Sequence, residues 1–242
     1  MDKAATRRSI PSWDFEHDLY ARGHSMIAGV DEAGRGAWAG PLVAGAVILP
    51  HPDTLIDAPE LAKGLAGLRD SKMLTAETRE RLIVLIQEVA VGVGVGIVSA
   101  GLIDVIGIGP ANRLAWVRAL RSMRVQADHL LLDAFKLPAM RIPQKSIIRG
   151  DAVCISIAAA SVVAKVTRDR IMREMEETHP GYGFSKHKGY GTRLHSDSLK
   201  LIGVAPVHRK SFAPIRAAIL GQFDIVSENS IEEAAEEELI VA

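Results

Sequence analysis

Short apolar runs bounded by turn residues predict strands in the first part of the chain. Residues 26–31 (MIAGVD) and 42–49 (LVAGAVIL) are each predicted to form a buried strand, and the short connection between them favours antiparallel pairing. Residues 91–98 (VGVGVGIV) alternate with a period of two, which predicts a third strand with glycine along one face.

Helical spacing is found in later segments. Thr75 precedes apolar residues at helical intervals and is expected to cap a helix. A second helix is predicted to follow Pro110, and a long helix to run from about residue 154 to 177. The alanine run at 158–160 would let this long helix pack tightly against a sheet.

Two more strands and an irregular segment complete the pattern. Residues 129–133 (HLLLD) and 146–149 are predicted to be strands. Residues 178–210 are broken by Gly, Pro and His, which predicts loop with short helix, and a further helix is expected from Ser211 onward.

This order of elements favours an α/β fold in which helices pack on a mixed sheet. The first 25 residues are polar and predict a helix or arm that leads into the domain. We divide the chain into an N-terminal arm (1–25), one domain (26–216) and a terminal segment (217–242). The terminal segment holds a helix end and an acidic tail that we expect to be disordered.

The formal net charge of zero conceals an uneven distribution. Six glutamates and no Lys or Arg lie between residues 228 and 242, so the rest of the chain has 29 basic against 23 acidic residues. Residues 179–216 contain seven Lys or Arg and a single acid, Asp197. A run of one sign is either a solvated face or a phosphate-binding surface, and we expect here one wall of a nucleic-acid groove.

Composition does not favour a membrane or secreted protein. The longest apolar stretch, residues 39–50, is too short to span a membrane, and the N-terminal residues lack the apolar core of a signal peptide. The single cysteine, Cys154, has no partner for an internal disulfide and is expected to pack in a helix. We therefore expect a cytoplasmic protein with no membrane partner.

Carboxylates follow three of the predicted strands. Each acid alone could start a turn or cap a helix, but three such strand ends together favour a shared cation site, because clustered buried carboxylates are costly without one. Oxygen ligands without a Cys or His cluster indicate Mg²⁺ or Mn²⁺ and not zinc. The acids are Asp31, Glu32, Asp133 and Asp151.

A glycine-rich turn follows the first two acids. Residues 29–36 (GVDEAGRG) are close to a nucleotide-binding P-loop, but Arg replaces its lysine, Gly replaces its Ser or Thr, and two acids inside it would repel phosphate. We reject the P-loop. Gly34 and Gly36 are compatible with a tight turn and with a close approach of bare backbone to a ligand, to which Arg35 would add positive charge.

Six motifs together resemble bacterial ribonuclease HII. They lie in family order between about residue 20 and residue 216, and the first motif and the helix that begins near Asp151 are the most specific. The motifs are GVDEAGRGAWAGPLVAGAV (29–47), LRDSKMLT (68–75), LLLDAF (ending at 135), GDAVCISIAAASVVAKVTRDR (150–170), HKGYGT (187–192) and HRKSFAP (208–214).

The resemblance implies a ribonuclease-H-like fold, in which helices flank a mixed five-stranded sheet and a C-terminal helical extension follows. Residues 26–216 would be the catalytic domain, including a substrate-binding C-terminal segment. The activity implied is a metal-dependent endonuclease that hydrolyses the RNA strand of RNA–DNA hybrids and leaves 5′-phosphate and 3′-hydroxyl ends. Two divalent ions, Mn²⁺ or Mg²⁺, would lie between the scissile phosphate and four catalytic, metal-binding acids. These acids are Asp31, Glu32, Asp133 and Asp151.

The same resemblance implies how the substrate is bound. The main chain of Gly34, Arg35 and Gly36 would contact the ribose 2′-hydroxyl, and Tyr190 would stack on the next sugar. This pair would allow cleavage 5′ of a single ribonucleotide embedded in duplex DNA. Without the resemblance, Tyr190 would be an ordinary loop aromatic. Expected contacts to backbone phosphates are Lys72, Ser161 and Lys165.

Four further residues match the family motifs and are interpreted as structural. Asp169 and Arg170 follow the expected phosphate contacts on the long helix. His187 and His208 lie in the last two motifs, and we favour a structural role over substrate contact for each.

Two alternatives remain open. A ribonuclease-H-fold nuclease acting on DNA, such as a junction resolvase or transposase-like enzyme, would use the same acids but has no use for Gly34–Gly36 together with Tyr190. A nucleic-acid-binding module without activity does not explain acids beside a basic region. The expected partners are RNA–DNA hybrids and ribonucleotide-containing duplex DNA. No obligate protein partner is expected, because GQFDIV (221–226) lacks the paired aromatics of a sliding-clamp-binding peptide.

Overall fold

Five strands form one mixed sheet in the computed structural model, which describes residues 10–222. The strands are β1 (Ile27–Ala33), β2 (Leu42–Ile48), β3 (Gly92–Val98), β4 (His129–Asp133) and β5 (Gln144–Ile147). Their order across the sheet is β3, β2, β1, β4, β5. The β1–β2 and β2–β3 pairs are antiparallel, whereas β1–β4 and β4–β5 are parallel. The mixed five-stranded sheet expected from the sequence is confirmed.

Helices cover both faces of this sheet. In chain order they are α1 (Asp14–Ala21), α2 (Pro59–Leu65), α3 (Ala76–Val89), α4 (Ala100–Ile106), α5 (Ile108–Ser122), α6 (Gly150–Val153), α7 (Ile155–Thr178), α8 (Phe184–His187), α9 (Arg193–Ile202) and α10 (Ala213–Ile219). Helix α5 lies on one face and α7 on the other, and three further helices follow α7 in the described part of the chain. Thr75 caps α3 as predicted, because its hydroxyl accepts the Thr78 N–H at 3.2 Å.

Small residues let the two main helices approach the sheet closely. In β2, Ala44 and Ala46 pack with α5 on one face, whereas Val47 packs with α7 on the other. A side chain at Gly96 of β3 would overlap the backbone of α5, and one at Gly45 of β2 would overlap the backbone of α7. The glycine face predicted for β3 is therefore the face that α5 covers.

The N-terminal arm is packed onto the start of α7. Glu16 of α1 is almost fully buried, and its Oε1 accepts the Ser156 N–H at 3.0 Å and the Ser156 hydroxyl at 2.6 Å. Glu16 thus satisfies a backbone donor in the first turn of α7, which has no side-chain cap of its own. Cys154 is fully buried beside it, at the junction of α6 and α7.

Several predicted boundaries differ from the structure by a few residues, and two of the differences have a clear physical cause. β5 ends at Ile147 and not at residue 149, because Ile148 is exposed and Arg149 adopts a left-handed conformation that ends the strand. α5 begins at Ile108, before Pro110, because proline is tolerated in the first turn of a helix, where its missing N–H costs nothing. Helices α2 and α4 were not predicted.

The segment after α7 forms the C-terminal extension and is more helical than predicted. It contains the ten-residue helix α9, and the expected helix after Ser211 is α10. Backbone hydrogen bonds join this extension to the turn after β1. The Trp38 N–H donates to the Gly189 carbonyl at 2.8 Å, and the Arg209 N–H donates to the Trp38 carbonyl at 2.8 Å.

The predicted acidic tail lies outside the described residues, as do the first nine residues of the arm. Within residues 10–222, none of the helices combines the length and the hydrophobicity that a transmembrane span requires.

We predict that Gly96→Ala is strongly destabilising, because its methyl group would collide with the Ala115 carbonyl of α5. Overpacking of this kind costs about 1–3 kcal/mol in the free energy of unfolding. Gly101→Ala is the matched control, since Gly101 lies in α4 with open space around it and the change favours the helix. Urea unfolding of both variants tests this packing, and equal stability of the two would contradict it.

Candidate active site

Parallel strands bring their carboxylate-bearing ends to one edge of the sheet. Val30 of β1 pairs with Leu132 of β4, and Asp133 of β4 pairs with Ile147 of β5. The carboxyl ends of these three strands therefore meet. The four acids identified in the sequence lie there, near the end of β1, at the end of β4 and in α6 just after β5: Asp31, Glu32, Asp133 and Asp151.

Asp31 and Glu32 occupy opposite faces of the sheet edge, as alternation along a strand requires. The carboxylate of Glu32 faces α5, where its Oε2 accepts hydrogen bonds from Asn112 Nδ2 at 3.1 Å and from Trp116 Nε1 at 3.0 Å. Asp31 is only 5% exposed and interacts with the Ser161 hydroxyl on α7. The two neighbours are thus held by different helices.

Backbone geometry holds Asp133 close to the turn that carries Asp151. The Gly150 N–H donates to Asp133 Oδ1 at 2.7 Å. Ala134 follows Asp133, Arg149 precedes this turn, and both are left-handed, with φ values of 56° and 55°. This conformation costs non-glycine residues on the order of 1 kcal/mol, so the surrounding structure must impose it.

Burial and the charges of neighbouring carboxylates raise the pKa of all four acids. Burial is the largest cause for each. The pKa of Asp31 lies well above its ordinary value through burial and then through the charges of the other three acids. The pKa of Glu32 rises to about 7, although its hydrogen bonds from α5 oppose the shift, and that of Asp151 also rises to about 7.

The donor set fits a hard divalent cation. Glu32 commits one oxygen to Asn112 and Trp116, and Asp133 commits one to Gly150, so each retains a second oxygen for a ligand. A bound cation would also relieve the repulsion that raises these pKa values. Among residues 10–222, no three Asp, Glu, His or Cys side chains are already closed around one point, as expected for carboxylates that repel one another.

Asp70 is a fifth carboxylate near the cluster that the sequence did not single out. Its charge raises the pKa of Asp151, second only to burial. Lys72 acts in the opposite direction and lowers the pKa of both Asp133 and Asp151. The LRDSKMLT motif contains Asp70 as well as Lys72, but only the fold shows that its turn lies beside the acids.

The Gly34–Gly36 segment, hereafter the GRG loop, combines one packed glycine with one open glycine. Gly34 has φ of +89°, and a side chain there would overlap the Arg168 guanidinium. Nothing lies within 4 Å of the Cβ position of Gly36. The Arg35 guanidinium lies over the Phe135 ring, 4.4 Å from its centroid. The loop is therefore packed on its inner side and open at Gly36.

Two buried arginines support the backbone around this loop. Arg168 Nε donates to the Pro41 carbonyl at 2.9 Å, and Arg209 Nη1 donates to the Arg35 carbonyl at 2.9 Å. Burial lowers the pKa of Arg168, and it lowers that of Arg209 to about 9. The sequence predicts that the basic segment at residues 179–216, which includes Arg209, forms one wall of a nucleic-acid groove. Arg209 is 0% exposed, so that assignment is wrong and its role is structural.

Tyr190 packs on Arg168, one of these two buried arginines. Its ring centroid is 5.2 Å from Cζ of Arg168 and 5.6 Å from Nζ of Lys165. Because Arg168 also packs against Gly34, one buried side chain contacts both predicted substrate-reading elements. The structure thus places Tyr190 near the GRG loop, although more than 150 residues separate them in the sequence.

The three expected phosphate contacts differ in exposure. Lys72 is exposed beside the acids. Lys165 is mostly buried and forms an ion pair with Asp169 at 3.0 Å. Ser161 is only 4% exposed, and its hydroxyl lies 2.8 Å from the Ser71 hydroxyl and also contacts Asp31. It is therefore inside the protein and not on an accessible surface.

We predict that, without divalent ions, ionisation of the acids lowers the free energy of unfolding as the pH rises from about 6 to about 8. Glu32 and Asp151 have pKa values of about 7 in the folded protein and lower ones when unfolded. The folded state therefore loses protons from these two acids in this range, whereas the same acids are already ionised in the unfolded state, and this difference favours unfolding. The buried His195 and His208 act in the opposite direction because they titrate in this range only when unfolded, so the effect of the acids is the difference between wild type and Asp151→Asn. Asp151→Asn should flatten this dependence and raise stability at pH 8 by on the order of 1 kcal/mol.

Chemical denaturation at several pH values measures this effect. Asp197→Asn is the matched control, since Asp197 is exposed on α9 and remote from the sheet edge. A stability of Asp151→Asn that depends on pH as steeply as that of the wild type would contradict the repulsion argument.

Comparison with known proteins agrees with the fold. The Ribonuclease HII family profile matches residues 28–215. Ribonuclease HII of Chloroflexus aurantiacus is 50% identical over 211 residues, covering 87% of this chain and 97% of that protein. Ribonuclease H2 of Pyrococcus horikoshii OT3 superposes with a TM-score of 0.65 at 25% identity, over 79% of this chain and 96% of that chain.

A more distant structure, Bst-RNase HIII in complex with Mn²⁺, has a TM-score of 0.64 at 17% identity, over 82% of this chain and 70% of that chain. At this identity the likeness shows the fold alone. The ribonuclease-H-like fold expected from the motifs is confirmed by these superpositions. The chain belongs to the ribonuclease HII family, whose members are metal-dependent endoribonucleases acting on RNA–DNA hybrids.

Proposed function

We propose that this protein cuts on the 5′ side of single ribonucleotides embedded in duplex DNA, as well as within the RNA strand of hybrids, and leaves 5′-phosphate and 3′-hydroxyl ends. The observation that carries this proposal is the juxtaposition of the carboxylate cluster with the GRG loop and Tyr190. Arg168 connects the latter two, since it packs against Gly34 and lies under the Tyr190 ring.

The four acids are the proposed catalytic and metal-binding groups. Divalent ions held between them, Mg²⁺ or Mn²⁺, would activate a water molecule and stabilise charge on the phosphate. Glu32 is fixed by its hydrogen bonds from Asn112 and Trp116, and Asp133 by its bond from Gly150. These contacts orient the carboxylates before substrate binds, which preorganises the site.

Positive side chains at the rim would hold the scissile phosphate. Lys72 and Arg35 are exposed, and their charges lower the pKa of Asp133, which supports a position near the proposed reacting centre. Lys165 is a weaker candidate because its ammonium group is paired with Asp169. We assign the phosphate contact to Lys72 and Arg35.

The GRG loop would recognise the 2′-hydroxyl through its backbone. The open space at Gly36 allows a sugar to approach the main chain, and the 2′-hydroxyl is the group that distinguishes RNA from DNA there. Tyr190 would then pack on the following sugar, where a second 2′-hydroxyl would crowd its ring. Neither element has a use on DNA alone, which argues against the alternative of a DNA nuclease.

The direct test is a duplex that carries one ribonucleotide in one DNA strand. We predict incision at its 5′ side when Mg²⁺ or Mn²⁺ is added, no incision with a chelator, and none in the all-DNA duplex. Asp133→Asn should abolish cleavage while binding of the duplex persists. End-labelled products, analysed before and after phosphatase treatment, identify the ends. Cleavage of the all-DNA duplex would contradict the proposal.

We predict that Gly36→Val folds normally but loses about 100-fold in cleavage of the single-ribonucleotide duplex, because a side chain there separates the sugar from the backbone. Gly34→Val is the contrasting variant. Its side chain would overlap Arg168 at a positive φ, so it should lower the melting temperature as well. Near-normal cleavage by folded Gly36→Val would show that the loop is only a turn.

A further inference from the structure

A chain of hydrogen bonds runs through two buried histidines to the backbone of Tyr190. The Ala205 N–H donates to His208 Nδ1 at 2.9 Å. The Nε2 atoms of His208 and His195 are 3.0 Å apart, and His195 Nδ1 lies 3.0 Å from the Tyr190 carbonyl oxygen. Both rings are 0% exposed, so no side of either ring depends on solvent.

One neutral arrangement of protons satisfies the contacts with the Ala205 N–H, between the two rings and with the Tyr190 carbonyl. The opposite tautomer, in which His208 Nδ1 donates to the Ala205 carbonyl at 3.1 Å, would leave His195 Nδ1 without a proton for Tyr190. Since His208 Nδ1 accepts from a backbone N–H, its proton is on Nε2 and is donated to His195 Nε2. The proton of His195 must then be on Nδ1, from which it is donated to the Tyr190 carbonyl. Burial lowers the pKa of His195 to about 3 and that of His208 to about 4, so both rings are neutral at neutral pH.

His187 packs against this hydrogen-bonded chain from Ala205 through His208 and His195 to Tyr190, hereafter the histidine relay. Its Nδ1 accepts the Gly189 N–H at 3.1 Å, and its Nε2 donates to the Tyr182 carbonyl at 2.8 Å. Its ring stacks on His195, with centroids 4.5 Å apart and an angle of 13° between the planes. The position of His195 is thus fixed by stacking as well as by hydrogen bonds.

The backbone at Tyr190 needs such a restraint because glycine lies on both sides of it. Gly189 has φ of +83°, and Gly191 packs so closely on the Trp38 ring that a side chain there would overlap it. Glycines on both sides allow a wide range of backbone conformations.

The backbone of Tyr190 bonds locally, since its N–H donates to the His187 carbonyl at 3.0 Å and its carbonyl accepts the Thr192 N–H at 2.9 Å. The bond from His195 is the one that joins this carbonyl to the buried histidines.

We propose that His195 and His208 are positioning residues that fix Tyr190 and thereby set the preference of the enzyme for a ribonucleotide followed by DNA. This inference rests on the proposed role of Tyr190 in packing on the following sugar. Neither histidine touches substrate, since both are fully buried. They act on the angle at which the Tyr190 ring meets that sugar. A small displacement of the ring changes the preference between the two substrates more than it changes the rate of cleavage at the acids.

The test compares kcat/KM on two substrates, a DNA duplex with one ribonucleotide and a continuous RNA–DNA hybrid. Tyr190→Ala shows how far the ratio of the two kcat/KM values falls when the tyrosine ring is removed. His195→Ala should lower the ratio of the two kcat/KM values about tenfold, and His195→Ala with Tyr190→Ala should lower it no further than Tyr190→Ala alone. Ser198→Ala is the matched control, because Ser198 is buried on the same helix and its hydroxyl bonds to the carbonyls of Tyr182 and Leu194, outside the relay.

A conservative pair of variants distinguishes positioning from bulk packing. The amide nitrogen of Asn can replace Nδ1 of His195, so His195→Asn retains a donor for Tyr190 and should keep the ratio within about threefold of wild type. The longer side chain of His195→Gln places its amide beyond that position, so this variant should lower the ratio of the two kcat/KM values as much as His195→Ala does. Melting temperatures are measured for each variant to separate loss of fold from loss of preference.

The possible outcomes distinguish a failure of the proposed role of Tyr190 from a failure of the proposed role of the two histidines. If Tyr190→Ala leaves the ratio unchanged, the proposed role of Tyr190 is wrong and the relay sets no preference. If Tyr190→Ala lowers the ratio but His195→Ala lowers both kcat/KM values equally, as Ser198→Ala would, the histidines are only core residues and this inference is overturned. Additive effects in the double variant would overturn it as well.

Discussion

The structure depends on keeping four carboxylates together at one buried edge of a sheet. Parallel pairing of β1, β4 and β5 brings them there, and burial with mutual repulsion opposes it by raising their pKa values. Specific donors offset part of this cost, namely the side chains of α5 at Glu32, the backbone of Gly150 at Asp133 and Ser161 at Asp31. A divalent cation is the natural counter-charge for what these donors leave uncompensated.

A second layer of buried polar groups fixes the parts that would read the substrate. Arg168 and Arg209 bond to carbonyl groups of the GRG loop and the residues after it, and the histidine relay bonds to Tyr190. Within residues 10–222 neither arginine forms an ion pair with a carboxylate, and their hydrogen bonds to backbone carbonyls offset only part of the cost of burial, since Arg168 Nη1 and Arg209 Nη2 have no hydrogen-bond partner there. The C-terminal extension therefore serves as the support on which loop and tyrosine are held in register.

Sequence patterns predicted the sheet, the long helix and all four acids, because strand periodicity and strand-end carboxylates are local features. The predictions failed where a local pattern has more than one structural outcome. Ile148 was taken as a strand residue but is exposed, and Arg209 was taken as a surface cation but is buried under the GRG loop. The roles of Asn112 and Trp116 depend on how α5 crosses the sheet, which no local pattern specifies.

The central claim is that a divalent cation relieves the repulsion among these acids, and calorimetric titration with Mn²⁺ tests it most directly. Titrations at pH 7 in buffers with different ionisation enthalpies give the number of protons released on binding. Because the pKa values of Glu32 and Asp151 are about 7, these two groups are about half protonated before the ion binds, and a release of one proton or more is predicted, since the pKa of Asp31 is also raised. Binding at this site without proton release would contradict it.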